Sequence, residues 1–183
     1  MESLKGNFLI SMPHMNDPNF AKTVVYLCEH TEEGAMGLVI NKPLLHIDFA
    51  DVLRQLNITV PDFQLPNVHF GGPVELYRGF CLHSFDYQIS DTIRISETIS
   101  LTANKTIIRD IAKKEGPEHL LFLMGYAGWA PSQLEYEITE NGWLIVPADD
   151  EILFSLTDDR KWEMAAKNYG IDITLMNEMV GNA

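Results

Sequence analysis

Apolar runs punctuated by turn residues dominate the first half of the chain. Residues 7–11 (NFLIS), 23–30 (TVVYLCEH) and 35–41 (AMGLVIN) are rich in β-branched and other apolar side chains, which predicts three strands. The short, glycine-bearing HTEEGA between the second and third runs predicts an antiparallel hairpin. Further strands are predicted at 68–74, 77–84, 96–103, 119–129 and 142–148. The run at 119–129 is nearly all apolar, as expected for a central strand buried on both faces.

Helical spacing of apolar positions follows these runs, mostly in the second half. Residues 104–117 show it best, with Asn104 as a cap and Gly116-Pro117 as the stop. Ser132 and Glu135 have the spacing of a capping box, which predicts a short helix through Ile138. Other helices are predicted at 46–58, 149–156 and 158–170. Strands come first and helices later, and no repeat or linker divides the chain. The pattern therefore favours one α+β domain over residues 1–183, built on a large mixed sheet.

Composition and charge narrow the function classes. The chain has 183 residues with 46% hydrophobic content, and 26 acidic against 13 basic residues give a formal charge of −13. DNA binding needs several cations that neutralise phosphates, so this balance disfavours direct nucleic-acid binding. The N-terminus lacks the pattern of a signal peptide, and the longest apolar run is too short to span a bilayer. We expect a cytoplasmic protein that does not associate with a membrane.

A doubled Cys-x-His pattern is the sharpest candidate for chemistry. Cys28 and His30 lie two residues apart on one predicted strand, and Cys81 and His83 repeat that spacing on another. If the two strands were adjacent, a tetrahedral Cys₂His₂ zinc site could form. The alternative is two strands with packed cysteines that each end in a capping histidine. Structural zinc sites more often use Cys-x₂-Cys knuckles, so we favour the alternative and predict no metal and no cofactor.

Three further segments allow either a structural or a functional interpretation. Asn41-Lys42-Pro43 ends a strand either as a simple turn or as a hydrogen-bonding group at a sheet edge. FGGPV (70–74) is either a tight bend or a set of backbone N–H groups facing an anion. In GYAGWAPSQLE (125–135), Trp129 is either a core anchor or a lid over a pocket. The structural interpretation is favoured in each case.

Several of these segments together resemble one known family. NFLISMP, DPNF, TVVYLCEH, GAMGLVINKP, HFGGPV, RGFCLHS, GYAGWAPSQLE and NGWLIVPAD follow, in order, the pattern of the AlgH family of bacterial proteins, also called YqgE. The resemblance implies a compact single-domain α+β fold with a large curved mixed β-sheet flanked by helices. It supplies no reaction. One branch of the family is labelled a transcriptional regulator of alginate synthesis, which describes an outcome and not a DNA contact.

The resemblance also assigns a polar and glycine signature. We expect His30, Asn41, His83 and Gln133 to line one cleft that recognises a small ligand or a partner segment. The full signature in this sequence is Asp17, His30, Asn41, Pro43, Gly71, Gly72, Pro73, His83, Gly125, Trp129, Gln133 and Glu135.

Three functions compete at this point. The favoured one is a non-catalytic binding or regulatory module, because no nucleophile, base and oxyanion set stands out. The alternative is an enzyme that uses His30 or His83 as a general base, oriented by Glu135 or Asp17. Direct DNA regulation is the third, and it would require a basic face gathered from Lys42, Arg78, Arg109, Lys113 and Lys114.

Overall fold

Nine strands and five helices make up residues 1–176, the part of the chain that the computed structural model describes. The strands are β1 (Asn7–Ser11), β2 (Val24–Thr31), β3 (Gly34–Val39), β4 (Val68–Phe70), β5 (Val74–Ser84), β6 (Ile93–Arg94), β7 (Ile99–Thr102), β8 (Leu120–Trp129) and β9 (Trp143–Pro147). The helices are α1 (Phe49–Gln55), α2 (Lys105–Ala112), α3 (Gln133–Thr139), α4 (Asp150–Phe154) and α5 (Asp158–Lys167). No helix in this part of the chain is long and apolar enough to cross a membrane.

The strands form one curled sheet in the order β6-β7-β5-β8-β3-β2-β1-β9, with β4 also paired to β8. The β4–β8 pair is parallel, and the other strand pairs in residues 1–176 are antiparallel. The predicted single α+β domain with a curved mixed sheet is therefore confirmed. The predicted hairpin is also correct, because β2 pairs with β3 across HTEEGA.

Strand β8 is the central strand, and helices cover both of its faces. Leu121 and Leu123 pack into a core that includes Trp162 of α5. Phe122, which points to the opposite face, packs with Phe49 of α1 in a second core. A third core lies under α3, where Trp129 meets residues of β1 and β2. Burial on both faces explains why the sequence of this strand is almost uniformly apolar.

The chain crosses over β8 between β4 and β5. Strand β4 pairs with β8 on one side, and β5 pairs with β8 on the other. A Cβ atom at Gly72 would overlap the backbone of Tyr126, and one at Gly125 would overlap the carbonyl oxygen of Gly72. Two backbones can pass this closely only where neither carries a side chain. The prediction of one strand over 68–74 is thus wrong, and the favoured interpretation of FGGPV as a bend is correct.

Several boundaries differ from the sequence-based prediction. Helix α1 is shorter than the predicted 46–58, because Asp48 and Asp51 form a capping box that starts it at Phe49. The capping box predicted for α3 is absent: Ser132 adopts a left-handed conformation with φ 65° and makes no side-chain cap. The short edge strand β6 was not predicted, since two residues carry too little periodicity to be recognised.

Candidate functional site

The structure does not bring the predicted cleft residues together. Strands β3 and β8 separate β2, which carries His30, from β5, which carries His83. His83 lies opposite Leu120, whereas His30 pairs with Ala35, which lies opposite Trp129. These positions are at opposite ends of β8, roughly 30 Å apart along the strand. The prediction of a single cleft shared by both histidines is therefore wrong.

The Asn41 side chain joins the ends of two strands by hydrogen bonds. Its Oδ1 accepts a hydrogen bond from the Val24 backbone N–H (2.9 Å), and its Nδ2 donates to the Lys22 carbonyl oxygen (2.9 Å). Both functional atoms of the amide are thus used to join the end of β3 to the start of β2. Pro43 follows on the surface and forms an isolated bridge with His69. The favoured interpretation of this segment as a turn agrees with these contacts.

His83 is fully buried and fixed by neighbours on its own sheet. Its Nδ1 donates to the Ser84 carbonyl oxygen (2.8 Å), and its Nε2 accepts from the Thr102 hydroxyl (2.8 Å). Burial lowers the pKa of this imidazole, although its bond to the Ser84 carbonyl and the nearby Asp86 carboxylate oppose the shift. With both nitrogens bonded inside the core, His83 is not placed to act as a base on an external substrate.

His30 forms the carboxylate pair that the enzyme hypothesis required. Its Nε2 lies 2.7 Å from Glu135 Oε1, and its Nδ1 accepts from the Leu4 backbone N–H at 2.9 Å. The hydrogen bond from His30 is the main cause that holds the pKa of Glu135 below its usual range. However, the His30 side chain is only 2% exposed and its second nitrogen is occupied. The pair therefore ties the N-terminal segment to α3, and no free imidazole nitrogen faces solvent.

The Cys₂His₂ arrangement is excluded by topology. Cys28 and Cys81 are free thiols buried in different core clusters, and their strands are not neighbours in the sheet. Burial raises the pKa of both thiols, so they remain protonated and apolar in character. Within residues 1–176, no group of three or more His, Cys, Asp or Glu side chains could hold a metal ion.

Three of the predicted residues do meet, in a pocket beside α3. Asp17, Trp129 and Gln133 line a cavity of about 310 Å³. Phe20 and Trp143 complete an aromatic cluster with Trp129, with ring centroids 5.6 to 6.4 Å apart. The remaining lining residues include Met15, Tyr136, Glu137, Glu140 and Gly142. We call this cavity the α3 pocket.

Glu137 organises the α3 pocket, and the sequence analysis did not single it out. Its Oε2 accepts from the indole N–H groups of Trp129 (2.9 Å) and Trp143 (2.8 Å), and its Oε1 accepts from Gln133 Nε2 (2.9 Å). Gln133 Oε1 in turn accepts from the Ala130 backbone N–H, which joins the first residue of α3 to the segment that precedes it. The four-residue spacing of Gln133 and Glu137 on a predicted helix was the available signal.

The α3 pocket is acidic as well as aromatic. Asp17, Glu137 and Glu140 line it, and no Lys or Arg of the described residues does. Tyr136 is 66% exposed at its edge, which leaves the phenol ring available to a ligand. Aromatic faces and carboxylates both attract positive charge. Chemically, the pocket suits an ammonium or guanidinium group.

The glycines of the predicted signature belong to the backbone crossing and not to this pocket. Gly71, Gly72 and Gly125 are buried where the segment between β4 and β5 crosses β8, and Pro73 follows on the surface. These residues position β5 against β8. Gly71 and Gly72 face backbone atoms of β8, and Gly125 on β8 faces the carbonyl oxygens of Gly72 and Val74, so the close contacts of these glycines are within the protein.

A second polar cluster also escaped the sequence analysis. His69 Nε2 contacts both oxygens of Asp158 at 2.9 and 3.1 Å, and Lys161 Nζ lies 3.1 Å from Asp158 Oδ1. Lys161 is 1% exposed and also donates to the Ile40 carbonyl oxygen (2.9 Å). Burial lowers the pKa of Lys161, and the Asp158 carboxylate opposes that shift. This cluster anchors the start of α5 to the sheet.

Comparison with known proteins agrees with this architecture. A family model described as AlgH-like matches residues 8–174. A UPF0301 protein of Sinorhizobium medicae is 45% identical over 188 residues and covers 98% of this chain and 93% of its own length. Another from Desulfotalea psychrophila is 44% identical over 181 residues, covering 99% of this chain and 95% of its own.

Two solved structures share the fold. The solution structure of the AlgH protein from Pseudomonas aeruginosa is 43% identical, with a TM-score of 0.79 over 96% of this chain and 93% of that one. A crystal structure of a Corynebacterium diphtheriae protein, at 19% identity and a TM-score of 0.77, covers 96% of this chain and 92% of that one and shows the fold alone.

Fold and site together define a class of single-domain α+β proteins built on a curled sheet with helices on both faces. Within that class, the chain belongs to the AlgH-like family. The resemblance seen in the sequence motifs is therefore confirmed.

Proposed function

We propose that the protein is a non-catalytic, cytoplasmic binding module whose α3 pocket recognises a cationic group, carried either by a small amine or guanidine or by a protein segment. The observation that carries this proposal is the lining of the pocket: four aromatic rings and three carboxylates, with no Lys or Arg of residues 1–176 among them. Its volume of about 310 Å³ is at the small end of ligand sites, enough for one amino-acid side chain.

The geometry explains how such a group would be held. Glu137 is fixed by two indole donors, so its charge stays in place without an arriving ligand. Asp17 and Glu140 are exposed at the rim and free to approach a cation. Tyr136 adds an aromatic face beside them, and a cation over such a face gains about 0.5–1 kcal/mol at an exposed site.

The enzyme alternative has one supporting observation, the His30–Glu135 contact of 2.7 Å. A general base needs a nitrogen that can reach a substrate proton. His30 uses one nitrogen for Glu135 and the other for Leu4, and the ring is buried. Binding without catalysis is therefore the function that the arrangement supports best.

A pair of peptides matched in shape but not in charge tests the proposal. We expect a Gly-Arg-Gly peptide and agmatine to shift backbone amide NMR signals of residues 128–142 at low salt, and a Gly-citrulline-Gly peptide to shift them far less. Citrulline keeps the shape of arginine without its charge, so a difference between the two peptides reports the carboxylates and rings. Stronger binding of the peptide than of agmatine would favour a protein segment as the ligand.

Two surface variants locate the interaction. Tyr136→Ala and Asp17→Asn should each weaken arginine-peptide binding about two- to fivefold. Tyr77→Ala serves as the matched control, since Tyr77 is also an exposed tyrosine (81%) but does not line this pocket. Equal binding of the arginine and citrulline peptides, or shifts outside residues 15–20 and 128–143, would contradict the proposal.

A further inference from the structure

A second cavity has the opposite charge character. It lies between α1, α2 and the face formed by β5 and β8, with a volume of about 310 Å³. Its floor is apolar and includes Val52, Leu56, Ile108, Phe122 and Met124. We call it the α1–α2 cavity.

Two cations stand at the rim of the α1–α2 cavity. Arg78 and Lys105 line it, and no Asp or Glu of the described residues does. In a chain of formal charge −13, a cavity whose charged lining residues are both basic departs from the rest of the surface. Arg78 also lies over the Phe80 ring, 5.0 Å from its centroid. Because the Phe80 side chain packs into the core on the opposite face of the sheet, this contact holds the guanidinium at the rim of the cavity and not on its floor.

The backbone crossing creates the wall that carries Arg78. Val74 pairs with Tyr126 and Gly79 pairs with Met124, so residues 75–78 of β5 face the single residue Gly125 on β8. These four residues bulge away from the sheet as a consequence. The bulge leaves Leu76 55% exposed and Tyr77 81% exposed, and Tyr77 lines the cavity beside Arg78.

We propose that the α1–α2 cavity binds an amphipathic organic anion, with its apolar body on the floor between the helices and its carboxylate or phosphate head at Arg78 and Lys105. The apolar lining would take the body by the hydrophobic effect. The head would compete with Glu75, whose Oε2 lies 3.3 Å from Arg78 in a solvent-exposed pair. Such a pair is weak, so the guanidinium remains available to a ligand.

Three probes that each carry a linear eight-carbon chain separate the contributions of charge and apolar area. We expect octanoate to shift amide signals of residues 79–81 and 105–108, octanol to do so more weakly, and octyltrimethylammonium not to do so. The Arg78→Gln, Lys105→Gln double variant should weaken octanoate binding about three- to tenfold at low salt, the size expected for two partly exposed charge pairs.

Matched variants keep this test specific. Lys113→Gln removes a cation near the end of α2 that does not line the cavity, and should leave octanoate binding unchanged. Leu56→Trp, at a half-buried lining residue, should fill the cavity and abolish binding while the remaining spectrum is preserved. If Leu56→Trp does not fold, the double variant alone decides.

Three results would overturn the proposal. The first is that octanoate and octyltrimethylammonium shift the amide signals of residues 79–81 and 105–108 equally. The second is octanoate shifts centred on the α3 pocket. The third is the absence of shifts at up to about 10 mM octanoate. The α3 pocket is probed with cations, so failure here and failure of the proposed function are distinguishable.

Discussion

Several single residues in this protein are needed for the path of the backbone and have no evident chemical role. Gly125 and Gly6 both have a positive φ, of +78° and +83°. A Cβ atom at Gly125 would collide with the Gly72 carbonyl, whereas within the described chain one at Gly6 would meet nothing within 4 Å. The pair therefore separates the effect of backbone strain from that of a close approach.

Alanine substitutions at these two glycines give the first prediction. Gly6→Ala should lower the free energy of unfolding by about 1–2 kcal/mol, the strain of an L-residue at positive φ. Gly125→Ala adds an unavoidable overlap and should cost more than about 3 kcal/mol or prevent folding. Urea denaturation followed by circular dichroism measures both. Equal losses at the two sites would show that the crossing is looser than described.

The buried imidazole of His83 gives a pH-dependent prediction. Burial lowers its pKa in the folded protein, so between that value and about 6.5 the unfolded chain binds a proton that the folded chain does not. The free energy of unfolding should therefore decrease as the pH falls through this window, by at most about 1.4 kcal/mol per pH unit from this group. His83→Gln should be less stable at pH 8 and should flatten this dependence.

Urea unfolding at pH 8, 6 and 5 checks the His83 prediction. His119→Gln is the matched control, because the His119 side chain is 54% exposed in the folded protein, whereas His83 is fully buried. If the pH dependence of the free energy of unfolding changes in the His119 variant but not in the His83 variant, His83 is not the cause of the acid sensitivity and the prediction is wrong.

At the scale of elements, α5 is held by a buried charge cluster as well as by apolar packing. Lys161 reaches from α5 to the Ile40 carbonyl at the end of β3, and Asp158 joins the same helix to His69. Lys161→Met keeps the approximate length of the side chain but leaves Asp158 with only its hydrogen bonds to His69. We expect the free energy of unfolding to fall by about 3 kcal/mol, as when one partner of a buried ion pair is removed in other proteins.

The control for Lys161 lies on the same helix. Lys167→Met changes an exposed lysine in the last turn and should alter stability by less than about 0.5 kcal/mol. Urea midpoints with an unchanged m-value would attribute the difference to stability alone. A Lys161→Met protein as stable as the parent would mean that apolar packing alone fixes α5.

The sequence predicted elements well where the signal is local. Helix α2 has its cap at Asn104 and a regular apolar stripe, and β8 has an unbroken apolar run, so both were recognised. It failed where the partner is distant in sequence. The reason for Gly72 lies in Gly125 and Tyr126, and the role of Glu137 depends on indoles from β8 and β9. The local pattern of apolar and polar residues holds no information about contacts between residues so far apart in the chain.

The candidate site shows the same limit. The sequence predicts that polar side chains at strand ends converge, but the sheet order places β3 and β8 between the strands of His30 and His83. Asp17, Trp129 and Gln133 do converge, because the loop after β1 and helix α3 both pack near Trp129, the last residue of β8, and Trp143, the first residue of β9. Predicting that required strand order, which the sequence alone left open.

For the whole molecule, the charge balance sets what the surface can bind. The formal charge of −13 should keep DNA at a distance, apart from weak contacts at low salt. We therefore expect gel-shift titrations with mixed-sequence DNA to show no discrete complex at about 150 mM salt. A discrete, sequence-dependent complex that persists at this salt concentration would contradict the prediction and revive direct DNA regulation.

The position of β8 in the chain has a consequence for biosynthesis. Strands β3, β4 and β5 all pair with β8. However, Leu120, the first residue of β8, lies 36 residues after Ser84, the last residue of β5. At ribosomal speeds of about 5–20 residues per second, β5 waits roughly 2–7 s for this shared partner, and β3 and β4, which are made earlier, wait longer. During that interval their edges are unpaired, and an exposed edge can recruit another chain. Synonymous codons that slow translation between these strands should therefore raise aggregation of newly made protein without changing the finished molecule.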